Sequence, residues 1–206
     1  VNIGLLLNWG VGLEILKAVE RDPAMEIGMV VTRHDPASGD RWKNAVYAYS
    51  LLQNYTTIEE ESLTWADLVG WIRRLEIDLL VCHAFMKKLP KHVYQVPRLG
   101  TVNIHPSLLP KYRGPSPTFW VLKNGEKETG LTSHYVDEGL DTGPIIAQCR
   151  LPLDADDTVP TVIEKMKLRV GELIVKTLDH IRDENFRPRP QEEQSASYAP
   201  RPQKKD

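Results

Sequence analysis

A single doubly wound α/β domain with one mostly parallel sheet is the fold the sequence predicts, and three observations predict it. Short apolar runs recur at residues 2–7, 26–31 and 77–82, near-continuous rather than alternating. Strands covered by helices on both faces look like this. Stretches with apolar residues at helical spacing lie between them, and strand–helix alternation implies parallel crossovers. Finally, the first run passes through a Gly-bearing turn straight into a helical pattern, the opening of a βαβ unit.

Residues 2–7, Asn-Ile-Gly-Leu-Leu-Leu, read as a buried first strand. Asn8-Trp-Gly-Val-Gly12 follows, and Leu13, Leu16 and Val19 then mark a helix. Such a turn offers backbone N–H groups to a phosphate, yet Gly10 and Gly12 lack the full dinucleotide fingerprint. A plain βα turn stays an equal reading. Glu26-Ile-Gly-Met-Val-Val31 is the second strand. Residues 33–41 form a polar loop in which His34 reads as a solvated side chain. Residues 42–52 suit a helix, and Glu59, Glu60 and Glu61 a solvated helix entry. Thr64 is placed as an N-cap with Asp67 in the first turn, followed by a core stripe of Trp65, Leu68, Ile72 and Leu75.

The third apolar run leads into His83-Ala-Phe-Met-Lys-Lys-Leu-Pro90. Residues 101–105 read as a strand that stops at Pro106, which has no N–H to donate. Asn103 and His105 lie two apart and therefore on one face, at a strand's carboxyl end, where open α/β sheets bind ligands. Pro117 opens a short helix that Asn124-Gly125 closes. Residues 129–136 alternate as a strand, with Thr132, His134 and Val136 on one face. Asp137-Glu-Gly-Leu-Asp-Thr-Gly143 is an acidic, Gly-punctuated loop able to return a carboxylate to the imidazole. Residues 145–151 make a further strand, closed by Pro152. Thr158 is the expected N-cap of a long helix with Pro160 in its first turn and Ile163, Met166, Val170, Leu173, Ile174, Leu178 and Ile181 as core stripe. Asp154, Asp156 and Asp157 beside that cap suit the helix dipole better than a metal, and no metal site is expected.

The run Asn103-Ile-His-Pro-Ser-Leu-Leu-Pro-Lys-Tyr-Arg-Gly114, followed after one strand by Leu140-Asp-Thr-Gly-Pro144, carries a resemblance. It resembles the formyltransferases that use 10-formyltetrahydrofolate, including glycinamide ribonucleotide, methionyl-tRNA and sugar-nucleotide enzymes. The clearest match covers residues 79–153; the N-terminal third matches in layout only. The resemblance implies a Rossmann-like formyltransferase fold and a catalytic set of Asn103, His105 and Asp141. It implies a folate pocket lined by Phe85, Met86, Lys87 and Leu89, with Asp137, Glu138 and Gly139 in the loop that closes over the pteridine. For the acceptor it points to Asn8, Gly10, Gly12, Thr132 and His134. Arg113 reads as a phosphate partner or a surface cation, Ser107 as part of a rigid turn between prolines, and Gly114 as a special backbone angle or close approach. The Asn8 turn departs from the Gly-Asn-Gly-Ser-Asn pattern of the glycinamide ribonucleotide enzyme, against that acceptor.

Formyl transfer to an amine needs a proton carrier, a donor for the carbonyl oxygen as it gains charge, and a charge that orients the carrier. An imidazole, an amide N–H₂ and a carboxylate meet these needs. Tetrahydrofolate is the expected second product.

Composition bounds the rest. The chain has 206 residues, 41% hydrophobic and 26% charged, with formal net charge -2. That argues against a DNA-binding protein and against a global field gathering nucleic acid. Cys82 and Cys149 stand far apart with no CxxC, as in reduced cytoplasmic proteins. No apolar run approaches a membrane span. The expected organisation is a catalytic domain at 1–186 and a Pro-, Gln- and charge-rich tail or linker at 187–206. The expected acceptor is a sugar nucleotide or other small amine, with methionyl-tRNA as the rival. Formyltetrahydrofolate hydrolysis and non-catalytic folate or nucleotide binding are the other readings.

Overall fold

The computed structural model describes residues 1–38 and 42–204. Gly39, Asp40 and Arg41 of the expected polar loop lie outside the described residues. The fold is α/β with a mostly parallel, seven-stranded mixed sheet. Two compact units divide the chain, Val1–Asn103 and Ile104–Asp206.

The first unit runs β1 (Asn2–Leu7), α1 (Trp9–Glu20), β2 (Glu26–Thr32), α2 (Ala45–Leu52), β3 (Thr57–Glu59), α3 (Trp65–Arg74), β4 (Leu79–His83), α4 (Lys91–Tyr94) and into β5 (Thr101–His105). Its strands lie in the order β3-β2-β1-β4-β5, every pair parallel. The order reverses between β1 and β4, so their carboxyl ends, at Leu7 and His83, flank the crevice such folds use. Leu5, Leu6, Leu7, Val30, Val31, Leu79 and Leu80 are all fully buried, which is why these strands show no polar alternation. Burying each such side chain contributes about 1.5–3 kcal/mol. Gly12 lets α1 lie close on β1: an added Cβ would sit 3.2 Å from the Leu7 Cβ. Thr64 caps α3 as expected, in a capping box with Asp67. Leu68 and Ile72 of the stripe are buried, while Trp65 and Leu75 are half-buried at its margins.

The second unit holds α5 (Pro117–Lys123), β6 (Glu128–Tyr135), β7 (Ile145–Pro152) and α6 (Val159–Arg182). β6 and β7 pair antiparallel, with an irregularity between Ser133 and His134 that sets His134 opposite Ile145. α6 begins at the predicted cap. Its stripe corrects the sequence reading: Val162 is buried and Ile163 is exposed, because the helix entry turns Val162 inward, in line with Met166 and Val170 four and eight residues on. Residues 187–200, tail-like by composition, hydrogen-bond along this unit. Arg189 N–H donates to Ile145 O at 2.8 Å, and Ile145 N–H donates to Arg189 O at 2.7 Å. Ala199 is fully buried beside Tyr112 and Val121.

Candidate active site

Val102 and Ile104 turn into the core, so Asn103 and His105 take the opposite face of β5. Asn103 is half-buried and His105 is only 4% exposed. His105 Nε2 lies 2.8 Å from Tyr112 O. A carbonyl oxygen only accepts, so Nε2 carries the hydrogen and donates it. That fixes the tautomer and leaves Nδ1 as the nitrogen where a proton is gained or lost.

Nδ1 faces Asp141 Oδ2 at 3.5 Å. The other carboxylate oxygen, Oδ1, lies 3.6 Å from His134 Nε2. His134 repeats the His105 arrangement in mirror order: its Nδ1 lies 2.8 Å from Tyr135 O and so carries the hydrogen there. One carboxylate thus stands between two imidazoles whose rings meet edge to face, with centroids 6.4 Å apart. Gly114 N–H donates to Asp141 Oδ2 at 2.9 Å. Tyr112 (φ 62°) and Asp141 (φ 56°) both hold left-handed backbone, a strained state that persists only where the surroundings over-determine it.

Burial pulls the His105 pKa below its ordinary value, against the Asp141 charge and the Tyr112 carbonyl, which favour the charged ring; His134 adds repulsion. The ring is therefore neutral and basic near pH 7. Burial alone would push the Asp141 carboxyl up, but the facing His105, His134 and the Gly114 N–H hold it well below the usual carboxylate range. The arrangement can take a proton at Nδ1 and steady the resulting cation.

The folate-pocket candidates of the first unit follow β4, past a left-handed Ala84 (φ 52°). Met86 is 42% exposed, Phe85 is half-buried beside Trp65, and Leu89 is buried. Lys87 is occupied: its Nζ donates to Glu60 O and Leu63 O at 2.8 and 3.2 Å, fastening this loop to the segment before α3. In the second unit Asp137 folds its own loop, accepting from Gly139 N–H and Thr142 Oγ1, while Glu138 and Gly139 are exposed.

Several acceptor candidates have structural work. Asn8 is fully buried at the sheet crevice, where it donates to Glu60 and Ala84 O and accepts from Thr32 and Arg33 N–H. Gly10 and Gly12 are buried in α1. Ser107 donates to Lys111 O, and Thr132 donates to Ser107 O, so the two staple the proline-bounded turn. Arg113 is buried, its guanidinium on Gln191 and Glu193. Gly114, at φ 111°, meets both expectations: an added Cβ would lie 2.6 Å from Tyr198 Cε2. Sequence reasoning missed Tyr112 and Gln191 altogether. Tyr112 acts through its backbone, and Gln191 lies in a segment with no periodicity to read. It gave His134 only a supporting place.

Cys82 and Cys149 are free and buried. Among the described residues no group of three or more His, Cys, Asp or Glu could hold a metal ion, and no helix is long and apolar enough to cross a membrane.

Comparison with known proteins gives the family. The chain is 36% identical over 178 residues to the methionyl-tRNA formyltransferase of Acetivibrio thermocellus, covering 85% of this chain and 57% of that protein. It is 36% identical over 185 residues to that of Thermodesulfovibrio yellowstonii, covering 88% and 59%. The chain thus spans under two thirds of the length of these relatives. Among solved structures, a phosphoribosylglycinamide formyltransferase from Anaplasma phagocytophilum superposes with TM-score 0.74 at 26% identity, covering 87% of this chain and 85% of that one. A family model described as formyl transferase matches residues 12–178, and with the sequence relatives it shows that this chain belongs to the formyl transferase family.

Proposed function

We propose that the chain transfers a formyl group from 10-formyltetrahydrofolate to a primary amine, and that the amine is borne by methionyl-tRNA. The observation that carries the chemistry is the 3.5 Å approach of Asp141 Oδ2 to Nδ1 of the buried His105, which sits on a strand end that also bears Asn103. The donor supplies an activated one-carbon carbonyl on a folate nitrogen. Phe85, Met86 and Leu89 would hold its flat ring, the exposed Met86 being an apolar face suited to one. Lys87 is left out, because its ammonium is already spent on two carbonyls.

Each side chain then has a task. Asn103 donates its amide N–H to the formyl oxygen as charge gathers there. His105 takes the amine's proton at Nδ1 and returns it to the departing folate nitrogen. Asp141 stabilises the imidazolium while the proton is held. Serving one proton in two steps asks for a ring that is neutral at rest, and burial of His105 provides it.

The acceptor rests on the relatives, which are 36% identical across most of this chain. The sequence-based preference for a small amine leaned on the formal charge of -2, which describes only this stretch of a longer kind of protein. Where the chain ends carries no argument when its relatives run much longer, so the weight moves to methionyl-tRNA. The test incubates the protein with 10-formyltetrahydrofolate and either methionyl-tRNA or an amino-sugar nucleotide, following tetrahydrofolate release. Release that needs methionyl-tRNA and weakens steeply with salt is expected. Salt-insensitive release with the amino sugar overturns the acceptor, and release with no amine present makes the protein a hydrolase.

A further inference from the structure

We propose that Gln191 is a positioning residue of this active site, its one amide tying the loop that carries Asp141 to the loop that orients His105. The proposal rests on the formyl-transfer reading for the reaction it serves, but its geometry stands independently. Gln191 Nε2 donates to Asp141 O at 2.9 Å and to Gly143 O at 2.7 Å. Its Oε1 accepts from Arg113 Nε at 3.0 Å and Nη2 at 2.9 Å. Arg113 follows Tyr112, whose carbonyl holds His105 Nε2. Both ends of the His105–Asp141 contact therefore lead to the same side chain.

The segment around Gln191 is itself railed in place. Arg189 pairs with Ile145 through bonds of 2.7 and 2.8 Å. Glu193 closes on Arg113 at 2.8 and 3.0 Å. Ser197 Oγ accepts from Tyr112 N–H at 2.9 Å, and Arg113 N–H donates to Ser197 O at 2.9 Å. These contacts explain how two left-handed residues, Tyr112 and Asp141, are held in one unit: the C-terminal segment fixes the backbone of both. Chemistry restricts the residue type. Two carbonyls need two N–H groups, and a guanidinium needs an acceptor; a glutamine amide supplies both, whereas glutamate supplies only the second.

The experiment is a set of variants, Gln191→Met and Gln191→Glu, with Asp141→Asn as reference. Among the described residues, the charged and titratable groups facing His105 are Asp141 and His134. In Gln191→Met the Asp141 loop relaxes and its charge moves off the ring. The His105 titration, read from imidazole NMR, should then move to lower pH by about 0.5–1 unit, toward Asp141→Asn. Turnover in both Gln191 variants should fall about tenfold or more with the KM for folate little changed; Gln191→Glu keeps the Arg113 contact and loses only the donated bonds. An unmoved His105 titration in folded Gln191→Met, or wild-type turnover in Gln191→Glu, overturns the proposal. Because the titration needs no acceptor, it decides the role of Gln191 even if the wild-type protein releases no formyl group.

Discussion

His105 is informative because its two ring nitrogens are assigned different tasks by their neighbours. Tyr112 O fixes Nε2 as a donor, and Asp141 waits opposite Nδ1. His105→Ala removes the proposed proton carrier and should lower turnover by about 10²–10⁴. Asn103→Ala removes the proposed donor to the formyl oxygen and should cost about 10²–10³ in turnover. Both variants should keep the wild-type far-UV circular dichroism. Near-wild-type turnover by either variant would remove that residue from the mechanism. At this scale the sequence said much. Asn103 and His105 are two positions apart before a proline, and strand geometry alone puts them on one face. It said less about Asp141, whose approach depends on a left-handed backbone that a non-glycine residue does not advertise. Tyr112 was invisible for a different reason: its contribution is a carbonyl, which every residue possesses.

At the scale of elements, long periodic segments were legible and short ones were not. β1, β2, β4 and α6 follow from apolar runs or helical spacing over six or more positions, or nearly so. β3 has three residues and α4 has four, too few to show a period. Residues 187–200 were misleading in composition. Proline, glutamine and charge mean little hydrophobic burial, but this segment is held by hydrogen bonds and one buried Ala199 rather than by an apolar stripe. Gly114 marks where it docks. Its φ of 111° disfavours any side chain, and an added Cβ would meet Tyr198 Cε2 at 2.6 Å and Ala199 O at 2.9 Å. The backbone oxygen cannot swing aside as a flexible side chain can. Gly114→Ala should therefore destabilise by about 2–3 kcal/mol. For a chain of this size that lowers Tm by roughly 4–12 °C. A melt within 1 °C of wild type would mean that the segment gives way freely and the clamp is weak.

For the whole molecule, the His105–Asp141 pair predicts how stability depends on pH. His105 titrates below its unfolded value of 6.5 because burial disfavours the charged ring. As pH drops below 6.5 the unfolded chain takes up that proton first, so folded stability declines until pH passes the lower folded value. Asp141 is also depressed, from an ordinary 3.8, by the facing imidazoles and the Gly114 N–H, although burial opposes them. Its contribution is complete above 3.8 and is lost as acid takes pH below that toward the folded value. The two windows therefore act in one direction, an early decline below pH 6.5 and a steeper one below 3.8. Asp141→Asn separates them. With no carboxylate to protonate, the second window flattens, while the first widens because His105 loses the charge that held its pKa up. Thermal melts between pH 3 and pH 8 read both at once. If Asp141→Asn declines in parallel with wild type below pH 3.8, the carboxylate is not held by the two rings, and the proposed stabilisation of the imidazolium loses its support.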